Sequence, residues 1–424
     1  MLKIYRIAGT AALAALFIPP AALAGDETPK RPQTSAPVSS SLLSVHESDV
    51  TFFQLQSLNQ KGTGMSLRKI SHSILLSVAL RLLMGCGGGM STPSTPTAAA
   101  RFALVANSSS NSISTFAVDP QTGQLTPKST VPTGGINSRV IAMEPSGRFA
   151  YVGNLASNDI SVFGVDANNG SLTMVGSPVP AGNGPRFIVV GPTGTLLYAV
   201  NQDSNDISGF SINANTGALT PLAGSVPTDD LPVALSFHPS GRFAYVVNAN
   251  SSDITVYAAD SSGALGLLGA VPARTNPISI TMHPTGRFAY VTNAGSNDIT
   301  IFSIDTATGA LTPLATRIGT SDGPTSLTVD SQGHFAYVTN STADSVSVFA
   351  IDATTGALLP AATAAAGSNP VALTLDASGR LAYVANLGSD NVTAFTVDAT
   401  TGALTPAGTA VNAGAGPAWV TLIR

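Results

Sequence analysis

One cysteine, Cys86, occurs in 424 residues, so no disulfide can form within the chain and stability must come from packing. Charge is scarce too, at 10% Asp, Glu, Lys and Arg, and helix-favouring Glu occurs three times. With plentiful Gly, Thr, Ser, Asn and Val, that is a β composition and argues against a helical protein. Residues 101–424 hold eleven basic and nineteen acidic side chains, a net charge of −8, and Lys128 is their one lysine. Such a segment lacks the positive footprint that nucleic-acid binding needs. Residues 1–100 are different, with eight basic and four acidic groups.

What the sequence has in abundance is repetition. The stretch RFAYVTNAGSNDITIFSIDTATGALTPL, from Arg287 to Leu314, is one of seven copies, which open at Arg101, Arg148, Thr195, Arg242, Arg287, His334 and Arg380. A spacing of 45 to 47 residues makes each copy one supersecondary unit. Within a unit, RFAYVTN, ITIFSID and ALTPL are short runs separated by the turn clusters NAGSND and TATG. The preceding PISITMHPTG, from Pro277, is a fourth run ended by a turn. Four meandering strands form one blade, so residues 101–424 are predicted to be an all-β, seven-bladed β-propeller of four-stranded blades.

The ring is predicted to close through its two loose ends. The first unit opens at Arg101 with a second-strand sequence, whereas Pro417 to Arg424 (PAWVTLIR) matches a first strand with no second strand after it. One blade is then built from both, and the pairing covers an exposed sheet edge.

Residues recurring in every copy have architectural roles. Asn107, Asn154, Asn201, Asn248, Asn293, Asn340 and Asn386 end the second strands, where the side chain suits a bond to the backbone of the following turn. Gly123, Gly170, Gly217, Gly263, Gly309, Gly356 and Gly402 suit a hairpin that needs a positive φ. Asp159, Asp206 and Asp298, in the repeated SND, are read as turn-shaping residues and not as metal ligands.

The first hundred residues read as export sequence. Residues 1–64 form a signal-like leader and polar segment, in which Lys3 and Arg6 precede an apolar run and Ala22-Leu23-Ala24. A second signal spans residues 65–86, so the leader is also consistent with too early a start at Met1 rather than Met65. Its end, Leu83-Met84-Gly85-Cys86, resembles the lipobox of bacterial lipoproteins. That resemblance implies lipidation of Cys86, a membrane anchor, and residence in the bacterial envelope at the outer membrane or periplasmic face. Residues 87–100 read as a flexible tether.

The unit wording, with YVxN, SNDIxVF and IDxxTGALTPL, resembles the seven-bladed lactonase family, which includes bacterial 6-phosphogluconolactonase, and the YVTN-repeat propellers of cell surfaces. The resemblance implies a propeller fold and lactone hydrolysis. The family's His-x-His aligns with Asn137-Ser138-Arg139, its Gly-Pro-Arg-His with Gly184-Pro185-Arg186-Phe187, and its Asn-Glu with Asn201-Gln202. Arg186 alone retains the family's catalytic residue type. It and its neighbours can hold an oxyanion, but an arginine is no base near neutral pH, and Gln202 cannot transfer protons as a carboxylate does.

Function usually sits in the less repetitive loops leading into the first strands. These hold Arg139, Arg186, Asp229, Asp230, Arg274, Asn276, Asp322, Asn369 and Trp419. Arg139 and Arg186 share a repeat position in adjacent blades, so they pair either as an anion site or as charge balance for Asp229, Asp230 and Asp322. Trp419, the chain's one Trp, is either a stacking surface or part of the closing strand's packing. His238, His283 and His334 fall at turns on the opposite face and are read as surface turn residues. The expectation is a monomeric, lipid-anchored propeller that binds an anionic small molecule or an envelope protein at its channel mouth, using no cofactor and no metal. Lactone hydrolysis, with Arg186 and an acidic residue as base, is the rival, and a purely structural surface protein is the third reading.

Overall fold

The structure, a computed structural model, describes residues 101–423. The leader, the lipobox with Cys86 and the tether lie outside the described residues.

Seven antiparallel sheets are arranged around a central channel. The inner strands are Pro417–Ile423 in blade 1, Ser138–Met143 in blade 2, Pro185–Val190 in blade 3 and Pro232–Phe237 in blade 4. Pro277–Met282, Pro324–Val329 and Pro370–Leu375 serve blades 5, 6 and 7. Each blade adds three further strands outward, and in blades 2, 5 and 7 the outermost is split into two short pieces.

Blade 1 takes its second strand, Phe102–Asn107, from the start of the repeat region and its inner strand from Pro417–Ile423. The pairing runs from Phe102 with Ile423 to Asn107 with Pro417, and it closes the ring.

Second strands such as Phe288–Asn293 are buried along their whole length, because both faces of each blade are covered by neighbouring blades. The core is accordingly divided into seven apolar clusters, each lying between two adjacent blades. Fully buried Tyr151, Tyr245, Tyr290, Tyr337 and Tyr383 fill these seams, and burial of such a side chain contributes about 1.5–3 kcal/mol.

The recurring residues turn out to join strands and blades. The Asn that ends each second strand reaches mainly side chains rather than turn backbone. Asn154 Nδ2 donates to Asp159 Oδ1 (2.7 Å) and Ser161 Oγ (2.8 Å), and Asn248 and Asn293 repeat the pattern with Asp253 and Asp298. The SND aspartates are therefore hydrogen-bond acceptors within their own blades.

The hairpin glycines have the predicted positive φ and also sit against the preceding blade. A Cβ on Gly170 (φ 75°) would lie 2.7 Å from the Phe102 ring. The carbonyls of Gly217 and Gly309 accept from Tyr151 and Tyr245 of the blade before.

Two histidines correct the reading as surface turns. His238 and His283 are buried, with relative exposures of 4% and 1%. Nε2 of His238 lies 2.9 Å from the Gly286 carbonyl and Nε2 of His283 lies 3.1 Å from that of Gly333, each in the next blade. Since Nδ1 of each ring accepts a backbone N–H two residues on, Nε2 carries the hydrogen and the ring joins blade to blade. His334 is exposed, as expected.

Candidate functional site at the channel mouth

Every inner strand carries the same irregularity at its second residue. In blade 2, Ser138 pairs with Asn154 and Val140 with Gly153, which leaves Arg139 as an extra residue; in blade 3, Arg186 is left over between Pro185 and Phe187. The other blades bulge likewise at Ala418, Val233, Ile278, Thr325 and Val371. A β-bulge re-aims the side chain it carries. All seven bulged residues line one cavity of about 400 Å³ in the channel.

Phe187 and Trp419, each third in its inner strand directly after the bulge, also line the cavity. Their rings meet edge to face with centroids 5.7 Å apart. Trp419 is half buried and packs against three of the seven core clusters, so it belongs both to the closing strand's packing and to the cavity wall.

Arg139 and Arg186 are the charged residues of this cavity, and no carboxylate lines it. Burial lowers the pKa of both guanidinium groups. For Arg186 the value falls to about 10, through burial first and the charge of Arg139 second, with Asp203 acting the other way. Each guanidinium thus sits where positive charge is poorly solvated, and among the described residues neither forms an ion pair. Arg186 Nη1 donates to Gln202 Oε1 (3.2 Å), whose amide donates to Asp203 Oδ1 (3.2 Å).

The remaining sequence candidates lie in the loops leading into the inner strands and line no part of the channel cavity. Asp229 Oδ2 accepts from Thr255, Asp230 from Asn205 and Asn250, and Asp322 from Asn297. Arg274 lies 3.7 Å from the buried carboxylate of Asp298, which Arg317 also engages at 2.8 Å. Asn276 and Asn369 adopt positive φ just before their strands, a turn geometry that Asn tolerates. The structure therefore brings together Arg139, Arg186, Gln202 and Trp419, and leaves Asp229, Asp230, Arg274, Asn276, Asp322 and Asn369 apart from them. Phe187 is the wall residue missing from the sequence candidates; its shared offset with Trp419, third in each inner strand, is the signal for it. Among the described residues no group of three His, Cys, Asp or Glu is placed to hold a metal ion.

The family described as "Lactonase, 7-bladed beta-propeller" matches four overlapping stretches, residues 96–184, 141–237, 230–325 and 319–422. The chain belongs to this lactonase propeller family. None of the curated proteins matches it in sequence. Among solved structures, a candidate 6-phosphogluconolactonase from Bacteroides fragilis superposes with a TM-score of 0.69 at 21% identity, covering 78% of this chain and 100% of that one. A second from Bacteroides uniformis gives 0.69 at 20% identity, over 76% and 99% of the two chains. The periplasmic gluconolactonase of Pseudomonas aeruginosa gives 0.67 at 20% identity, again over 76% and 99%. At these identities the likeness is one of fold.

Proposed function

We propose that this lactonase-family propeller is a lipid-anchored envelope protein that binds a small anion between Arg139 and Arg186. The observation that carries the reading is the pair of half-buried guanidinium groups, neither of them in an ion pair among the described residues, in a cavity without a carboxylate. A partly desolvated cation without a counter-ion is poorly stabilised, whereas a bound carboxylate or phosphate would accept forked, charge-assisted hydrogen bonds from it. The Leu83-Met84-Gly85-Cys86 sequence supports the anchor, and the periplasmic setting of the Pseudomonas aeruginosa relative fits an exported protein. Calorimetric titration of the detergent-solubilised protein with phosphate- and carboxylate-bearing ligands tests the site. Saturable binding that Arg139→Ala and Arg186→Ala each remove is expected; heats indistinguishable from buffer for every anion would refute it. Retention of a Cys86→Ser protein in the membrane fraction would refute the anchor.

A second reading, hydrolysis of a sugar lactone such as 6-phosphogluconolactone, is favoured by the Arg186–Gln202 contact, which joins two positions of the family pattern. The arginines would hold the developing oxyanion, but the channel wall supplies no base to activate water. Acid release from sugar lactones, abolished by Arg186→Ala, is the outcome that would make this protein an enzyme.

A further inference from the structure

Resting on the reading of Arg139 and Arg186 as an anion site, we propose that the preferred ligand is an aryl carboxylate. A flat aromatic body would lie against Trp419, Phe187 and the apolar channel wall, with its carboxylate on the arginines.

The ring of bulged residues is strongly asymmetric. Two adjacent positions are arginines, while four of the other five are Val233, Ile278, Val371 and Ala418. An anion held by the arginines therefore projects the rest of its structure toward aliphatic side chains. Blade 2 carries Arg139, and the blades on either side of it supply Trp419 and Phe187, so aromatic surface adjoins the charged pair. Phe187 stands where the family resemblance places a histidine, exchanging a polar ring for an apolar one.

The channel does contain hydroxyls, but four of the seven are already hydrogen-bonded to the wall. Thr325 Oγ1 donates to the Pro370 carbonyl at 3.0 Å, and Ser279 Oγ accepts from Leu327 N at 3.2 Å. Thr281 and Thr328 donate to the carbonyls of Leu327 (2.6 Å) and Leu373 (2.9 Å). Ser326, Thr374 and Thr421 remain, and the latter two lie three residues beyond the bulge level, roughly 10 Å along the strand. At the bulge level Ser326 and the hydrogen of Ser279 remain for a ligand, so a polyhydroxylated acid entering here would lose more hydrogen bonds to water than it could replace. An aromatic acid has no such bonds to lose. Its ring can pack edge-on or offset against aromatic side chains, and its carboxylate matches the guanidinium fork.

Trp419 is the chain's one Trp, so intrinsic fluorescence reports on the cavity wall. The full-length protein in detergent would be titrated with benzoate, gluconate, 6-phosphogluconate and inorganic phosphate by calorimetry, with tryptophan emission followed in parallel. Benzoate is expected to bind about tenfold more tightly than gluconate, to change the emission, and to lose affinity in Arg186→Ala. Phe187→Ser, which alters the wall from blade 3 and leaves the closing strand's own residues in place, should weaken benzoate about fivefold, in line with the strength of aromatic packing, and weaken phosphate much less. Tighter binding of gluconate or 6-phosphogluconate than of benzoate, still dependent on Arg186, would overturn the aryl preference and leave the anion site standing. Absence of binding by all four would overturn both.

Discussion

Arg186 donates to Gln202 across 3.2 Å, linking the bulge of blade 3's inner strand to the residue that follows Asn201 on the second strand. The contact fixes the orientation of the guanidinium without neutralising it, because an amide oxygen accepts a hydrogen bond and carries no net charge. A positioned but unneutralised cation is what an anion needs.

Gln202→Glu should convert that contact into an ion pair. With a carboxylate on Arg186, a second anion is repelled, and affinity is expected to fall about tenfold or more. Calorimetry on the variant measures the loss. Lactone turnover appearing in the same variant would favour the enzymatic reading, since the substitution restores the residue type of the family pattern.

Binding should also depend on pH in one direction. Arg186 is cationic below its pKa, which burial lowers to about 10, so affinity stays level up to about pH 9. Above about pH 10 the cation is lost and affinity should decline, approaching tenfold per pH unit. Titrations at pH 7, 9 and 10.5 read this, and a rise in affinity over the interval would contradict the assignment of charge.

His283→Ala removes the donor to the Gly333 carbonyl and leaves a buried acceptor unpaired. A loss of about 1–3 kcal/mol is expected, seen as a lower urea midpoint. Anion affinity should be unchanged, because His283 lies beyond the far end of its inner strand from the bulge.

Deletion of residues 417–424 removes the inner strand of blade 1 and the Trp419 wall. Closing the intervening loop of about 310 residues opposes ring closure by about 5 kcal/mol, which strand pairing and burial in the closed ring offset. The deletion should expose the edge of Phe102–Asn107 and yield oligomers in size-exclusion chromatography. A monomeric product with unchanged melting would show that the strand contributes little.

Much of this architecture was readable from periodicity. Strand number, blade number and the pairing of residues 102–107 with 417–423 follow from aligning seven copies of one unit. The alignment also places Arg139 and Arg186 at equivalent positions. The bulge that turns them inward leaves no residue signature, since it occurs equally at Ala418, Val233 and Thr325. The burial of His238 and His283 was missed because a His-Pro turn reads as exposed. The clue was the Ser or Thr two residues on, Ser240 and Thr285, which bonds to Nδ1 and turns Nε2 toward the next blade. The loop aspartates looked free in sequence because their partners, Thr255, Asn250 and Asn297, are at least twenty residues away along the chain.

Trp419 joins the cavity through the strand that completes blade 1, which follows the other six blades in sequence. During synthesis the chain therefore completes six blades before the channel cavity gains Trp419. A ribosome that stops before residue 419 releases a product that keeps Phe187 and both arginines but lacks Trp419 and the strand that closes the ring. Ring closure and the last part of the cavity wall thus arrive together, on one strand.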